Sequence, residues 1–212
     1  MIELFWPSVC SGCGRVGAGR LCPRCRPPGV HRVPLGVPGV AGALTLAGYD
    51  TPLGLALRRA KLRPDRTLAL ALARLLAARL APVLRSSPLQ LVVPVPTTWT
   101  RRLRRGFGLP HLLAFELGRR ASLPVVDALR CAPGPRQASR SAHGRRHNLR
   151  GRVRSTRAAH GVVLLVDDVV TTGGTAAACA RELLGLGTSQ VWLATLCAVR
   201  SPRRIETGVQ NL

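Results

Sequence analysis

Apolar residues fall at two spacings along this chain. Residues 91–95 and 161–167 are compact, nearly unbroken runs rich in valine and leucine, the pattern of strands buried on both faces of a parallel sheet. Pro94 and Pro96 mark the end of the first run. Residues 67–84 place leucine and alanine on one stripe with Arg74 and Arg79 off it, which predicts a surface helix packed on a core and ending at the Ser-Ser-Pro of 86–88. The same reading gives strands at 43–48, 125–129 and 190–198, and helices at 52–62, 109–120 and 173–186. The helix at 52 opens on a Thr-Pro pair that suits a cap and first turn. Residues 31–40, rich in Pro and Gly, read as a linker, and 133–157, basic and almost free of apolar residues, as a long mobile loop. Strand alternating with helix predicts an α/β class with right-handed crossovers and helices on both sheet faces. The expected division is 1–40 as a small module with its linker and 41–212 as the principal domain.

At 212 residues and 46% hydrophobic content, the chain can bury a sizeable core. Its formal charge of +23 would attract phosphates, nucleic acid or an acidic partner. Lys61 is the sole lysine, however, and a bias toward arginine also fits a generally solvated basic surface, so both readings stay open. No basic stretch precedes the apolar residues of 1–7, and retention in the cytoplasm is expected. The arginines inside 67–84 make membrane insertion unexpected.

The segment 1–28 holds too few large apolar residues to form a core unaided. It carries Cys10-Ser11-Gly12-Cys13 and Cys22-Pro23-Arg24-Cys25, two CxxC knuckles whose spacing can close tetrahedrally on Zn2+, which would also supply folding energy. A pair of redox disulfides is the rival reading. Seven cysteines, with Cys131, Cys179 and Cys197 scattered, argue against a secreted disulfide framework; those three read as buried apolar residues, and His31 as a spare ligand.

The chemistry concentrates at Val162 to Thr175: a buried strand, then Asp167 and Asp168, then Val169, Val170, Thr171, Thr172, Gly173, Gly174 and Thr175 opening a helix. Ligands of open α/β sheets bind beyond the carboxyl ends of strands, where both acids are expected to emerge exposed. Small residues let backbone amides converge on a phosphate, the helix adds the positive end of its dipole, and the threonines add hydroxyl donors. Acids beside an anion cradle would repel phosphate alone. A sugar phosphate removes the conflict, because the acids accept from ribose hydroxyls while the loop takes the monoester. This resembles the 5-phosphoribosyl pyrophosphate motif of type I phosphoribosyltransferases and lacks the Lys of a Walker loop. Upstream, Pro94, Val95 and Pro96 lead to Thr97 and Thr98, a strand end whose amides could hold pyrophosphate, followed by the cations Arg101, Arg104 and Arg105.

Taken together, the cysteine pairs, Tyr49, Lys61, Val93 to Pro96, Arg105-Gly106-Phe107, Arg136-Gln137, Arg146 with Asn148, and Val166 to Thr175 resemble the ComF family of competence-associated proteins. The resemblance runs from Cys10 to about Arg200, and Gly108-Leu109 departs from the Asn-Gln usual there. It implies a type I phosphoribosyltransferase-like parallel sheet behind a zinc ribbon-like module. It also implies a role in uptake of single-stranded DNA and natural transformation. A catalytic member would be a glycosyltransferase of unknown acceptor binding phosphoribosyl pyrophosphate with Mg2+. Asp167 and Asp168 would position the ribose, Arg101, Arg104 and Arg105 would face the pyrophosphate, and residues 136–150 would act as a lid. The rival is a non-catalytic sugar-phosphate sensor or adaptor that holds single-stranded DNA or a helicase partner, leaning on phosphate contacts because aromatic content is 3%.

Overall fold

The structure, a computed structural model, describes residues 8–17, 19–63, 65–98, 106–132, 152–199 and 203–204. Its centre is a six-stranded sheet built from β1 (His31–Val33), β2 (Gly42–Gly48), β3 (Leu91–Pro94), β6 (Gly161–Val170), β7 (Thr188–Ala198) and β8 (Arg203–Arg204), in the order β3-β6-β7-β2-β1-β8. Strands β3, β6, β7 and β2 run parallel, with Val93 beside Leu165, Leu165 beside Leu193, and Leu193 beside Ala43. The sheet is mixed and not wholly parallel, because β1 runs antiparallel to both β2 and β8. That strand comes from the segment expected as a linker. A separate pair joins β4 (Leu129–Cys131) to β5 (Val153–Ser155) antiparallel. The expected loop of 133–157 therefore contains a strand, and the strand expected at 125–129 begins only at Leu129. Three-residue strands of mixed polarity, Leu-Arg-Cys and Val-Arg-Ser, carry too little periodicity to be read from sequence.

Side-chain alternation sends the two halves of each strand to different layers. Val92, Leu164, Val166, Ala194, Leu44 and Leu46 join one apolar cluster with the helices α1 (Pro52–Leu62), α2 (Arg66–Leu84) and α3 (Leu109–Ala121). Val93, Leu165, Leu193 and Ala43 join a second with α4 (Gly174–Leu184) and the β4–β5 pair. Helices thus cover both faces.

Helix starts follow the local chemistry. The Thr51 side chain accepts from the Gly54 amide at 3.4 Å, Pro52 opens α1, and the Asp65 carboxylate caps α2 through the Leu68 amide at 2.9 Å. A Cβ on Gly54 would stand 2.1 Å from the Tyr49 carbonyl oxygen, so only glycine lets α1 start this close to the end of β2. By length and composition α2 could cross a membrane, yet 56% of its apolar window is buried inside the protein. Leu68, Leu72, Leu76 and Leu80 are each at most 2% exposed, and burying such a side chain contributes about 1.5–3 kcal/mol.

Candidate functional site

Strand β6 runs past the two acids. Val169 and Val170 continue the ladder beside Cys197 and Ala198, and the Val199 amide bonds to the Val170 carbonyl at 2.9 Å. Asp167 and Asp168 therefore lie inside the strand and not beyond its end, and β-branched Val169 and Val170 explain the extension. The expected exposure of both acids is corrected too: Asp168 is buried and Asp167 half-buried. Neighbours in a strand face opposite ways. Asp168 accepts from Lys61 Nζ of α1 at 2.6 Å on the three-helix face. The Asp167 charge is felt by Cys179 of α4, on the other face. Asp167 Oδ1 also accepts from the Asp168 amide at 2.7 Å.

Next come exposed Thr171 and Thr172, then buried Gly173 at φ 76°. A Cβ there would meet Val37 Cγ2 at 2.2 Å, so the turn needs glycine both for its left-handed backbone and for space. Gly173 caps α4 without a side-chain hydrogen bond, and the first helical bond is Ala177 N–H to Gly173 O at 2.8 Å. The amides of Gly174, Thr175 and Ala176 thus form the amino end of the helix, with half-exposed Gly174 and Thr175 beside the threonine hydroxyls. Asp167 is the acid on this helix's side of the sheet.

The carboxyl end of β3 lies next to the acids. Pro94 pairs with Val166, and the Val95 amide bonds to the Val166 carbonyl at 2.9 Å, so Val95 has spent its donor on the sheet. Pro94, Val95 and Pro96 are buried, and as prolines two of them offer no amide; the donors expected from 94–96 are not there. Half-buried Thr97 and Thr98 follow. Arg101, Arg104 and Arg105, like Arg136, Gln137, Arg146 and Asn148, lie outside the described residues.

Lys61, which the sequence marks only as a lone lysine and as one of the positions resembling the family, belongs to this site. Buried Cys197 lies beside the pair, and the neighbouring Arg58 donates from Nη1 to the Tyr49 carbonyl at 2.8 Å with its guanidinium 5.0 Å over the Tyr49 ring. Burial pushes the Cys197 thiol up to about 12, with the Lys61 charge opposing and Asp168 reinforcing. The signal in the sequence was a lone lysine in a chain that otherwise uses arginine.

At the other end of α1, the Sγ atoms of Cys10, Cys13, Cys22 and Cys25 lie within 4.8 Å of one another, and none is in a disulfide. Cys10 accepts from the Cys22 amide at 3.2 Å. Burial alone would raise the Cys10 thiol, but amides of Cys22, Cys13 and Gly12 outweigh it and bring it down to about 6. Burial holds Cys25 far above the ordinary thiol value. Four sulfurs converging, one of them poised as thiolate by backbone donors, could hold a tetrahedral metal such as zinc. His31 is not part of the cluster. Cys179 and Cys197 are buried as expected, whereas Cys131 is half-exposed.

No family model matches the chain. Solved structures similar to it include hypoxanthine phosphoribosyltransferase from Trypanosoma cruzi, at TM-score 0.38 and 17% identity over 67% of this chain and 73% of that one. They also include a glutamic acid mutant of an invariant aspartic acid in HPRTs, at TM-score 0.39 and the same identity and coverage. Curated relatives are nearer. DNA utilization protein YhgH of Salmonella typhimurium is 35% identical over 208 residues, 87% of this chain and 88% of that protein. The Escherichia coli K12 protein of that name is 33% identical over 203 residues, 89% of each. Competence protein F of Haemophilus influenzae is 32% identical over 155 residues, 68% of each. With the cysteine cluster and the acid-loop motif in place, that identity over most of its length makes this chain a member of the ComF family.

Proposed function

We propose that the principal domain binds phosphoribosyl pyrophosphate with Mg2+ and acts as a phosphoribosyltransferase on an acceptor still to be identified. The observation that carries this reading is the turn from Asp167 through Gly173 into α4: an acid on β6 shares one side of the sheet with an uncapped helix start flanked by three threonines. The loop would hold the 5-phosphate through the amides of Gly174 and Thr175 and the hydroxyls of Thr171, Thr172 and Thr175. Asp167 and Asp168 would accept from ribose hydroxyls, reaching the sugar from either face of the strand. Lys61 cancels the Asp168 charge and so lowers the repulsion an incoming anion meets. Bound Mg2+ would supply further neutralisation of the pyrophosphate. Transfer of this kind needs charge stabilisation and exclusion of water more than acid or base assistance.

Titration calorimetry with phosphoribosyl pyrophosphate and Mg2+ tests the pocket. Binding by the native chain and its loss in Asp167→Asn is the expected result, and equal affinity in the two proteins refutes the assignment. Pyrophosphate release on adding candidate bases or nucleosides tests turnover.

A second reading keeps the pocket as a sensor in an adaptor. It is favoured by the names of the relatives, which concern DNA utilization and competence, and by exposed Arg15, Arg20, Arg24, Arg26 and Arg59 around the cysteine cluster. Under either reading the protein works in the cytoplasm in connection with DNA uptake. Tight ligand binding with no pyrophosphate release, and single-stranded DNA binding that fades steeply with salt, would select the adaptor.

A further inference from the structure

Helix α1 touches both sites that the chain carries. At its start, a Cβ on Gly12 would stand 3.1 Å from the Pro52 carbonyl oxygen and 2.8 Å from Cys25 Sγ, so the first knuckle rests on the helix because residue 12 has no side chain. Near its end, Arg59 Nη1 donates to the Ser11 carbonyl between two of the cysteines at 2.8 Å. Two residues on, Lys61 Nζ pairs with Asp168 Oδ1 at 2.6 Å. Between these contacts Leu53, Ala56, Leu57 and Ala60 share one apolar cluster with Cys10, Leu21, Cys22 and Cys25. Leu62, the last helical residue, is 82% exposed and anchors nothing.

From this arrangement we propose that Arg59 and Lys61 are positioning residues through which the four-cysteine metal centre fixes Asp168. The metal holds the knuckles, the Ser11 carbonyl holds Arg59, and the last turn of α1 holds the lysine on its acid. The last turn of a helix frays unless something outside it ties it down, because its carbonyls have no partners in the helix. Here the ties are buried Ala60, the Arg59 bond and the Lys61 pair. The cysteine segment in turn has too little apolar surface to stay folded without its metal. Stripping the metal therefore loosens the Arg59 anchor, and the Lys61 pair opens more often. For a ligand this matters only under the sugar-phosphate reading, where Asp168 meets the ribose.

The chain's single lysine makes the idea measurable without any ligand. The full-length protein is treated with an acetylating N-hydroxysuccinimide ester, and modification at Lys61 is followed by mass spectrometry. Asp168→Asn sets the rate for a lysine that has lost its bond to this acid. Removing zinc with a chelator, or by Cys22→Ser with Cys25→Ser, is expected to raise the Lys61 rate roughly tenfold, the factor given by losing one interaction of ordinary strength from the closed state. Arg59→Ala with zinc retained should do likewise. Arg63→Ala removes the same charge one turn on, from a residue without a bond to the knuckles among the described residues, and should leave the rate at the native value. Buried Cys179 reports the sheet: if it stays unreactive to alkylation, the change is local. If stripping also exposes Cys179, the zinc-loaded Arg59→Ala protein decides. An unchanged Lys61 rate on stripping, or equal effects of Arg59→Ala and Arg63→Ala, overturns the proposal. Failure of phosphoribosyl pyrophosphate to bind would sink the sugar-phosphate reading and leave this result standing. Where it does bind, stripping should weaken it severalfold in the native chain and not in Lys61→Met.

Discussion

Lys61 Nζ and Asp168 Oδ1 meet at 2.6 Å across 107 positions of sequence, joining the last turn of α1 to the strand that carries the candidate sugar-binding acids. Their side chains are 21% and 12% exposed, which places the pair between a surface bridge of little worth and a buried one whose broken half is costly.

Lys61→Met should therefore destabilise the protein by about 2 kcal/mol, below the range for a fully buried pair, because Asp168 keeps its charge and loses its partner. Adding Asp168→Asn should restore part of that loss. Urea denaturation of the two variants checks it, and a double variant less stable than the single one would show that the pair is not the cause.

Gly173→Ala places a side chain at φ 76° and 2.2 Å from Val37 Cγ2. A cost of about 2–4 kcal/mol is expected from the backbone and the overlap together, with loss of phosphate-ligand binding. Val37→Ala in the same chain relieves the overlap and not the backbone, so thermal melts of the pair of variants should recover only partly.

The Cys197 thiol gives the folded state an alkaline weakness. Burial keeps its proton to about 12, whereas an unfolded chain releases it near 9.0. Its contribution is complete below 9.0 and is lost as pH rises toward about 12, at about 1.4 kcal/mol per pH unit. Cys197→Ala should flatten the alkaline limb of stability measured by denaturant midpoint, and an unaltered limb would contradict the assignment.

Cys22→Ser with Cys25→Ser should abolish zinc binding, read by metal analysis of the purified protein. Full occupancy in that variant would disprove the ligand set.

Thr195 lies in β7 beside Asp167 and Thr45, is 0% exposed, and its hydroxyl has no partner among the described residues. A buried unsatisfied hydroxyl costs stability, so Thr195→Val should raise it by about 1 kcal/mol. A fall in melting temperature would contradict this account.

Much of this architecture was legible in the chain because its signals are local. The valine-rich run of β6, the leucine stripe of α2 and the Thr-Pro start of α1 each declare their element within a few residues. The two CxxC knuckles declare theirs by spacing. What escaped depends on partners distant in sequence. β1 exists because β2 offers an edge, and β5 because β4 lies opposite, though neither carries periodicity of its own. The buried state of Asp168 follows from Lys61, a relationship no window around either residue contains. Val169 and Val170 carry a strand signal of their own, which the acids before them mask by suggesting an end to the strand.

The short outer strands have a consequence for how the molecule behaves in a crowded solution. Without β1 and β8, β2 would present a bare row of amides and carbonyls to any passing extended chain. At the opposite margin, Val92 bonds outward to the Pro124 carbonyl and accepts from the Val126 amide, so β3 is likewise occupied. With β3 occupied and the other rim reduced to the two residues of β8, the sheet gives a foreign segment little template on which to stack.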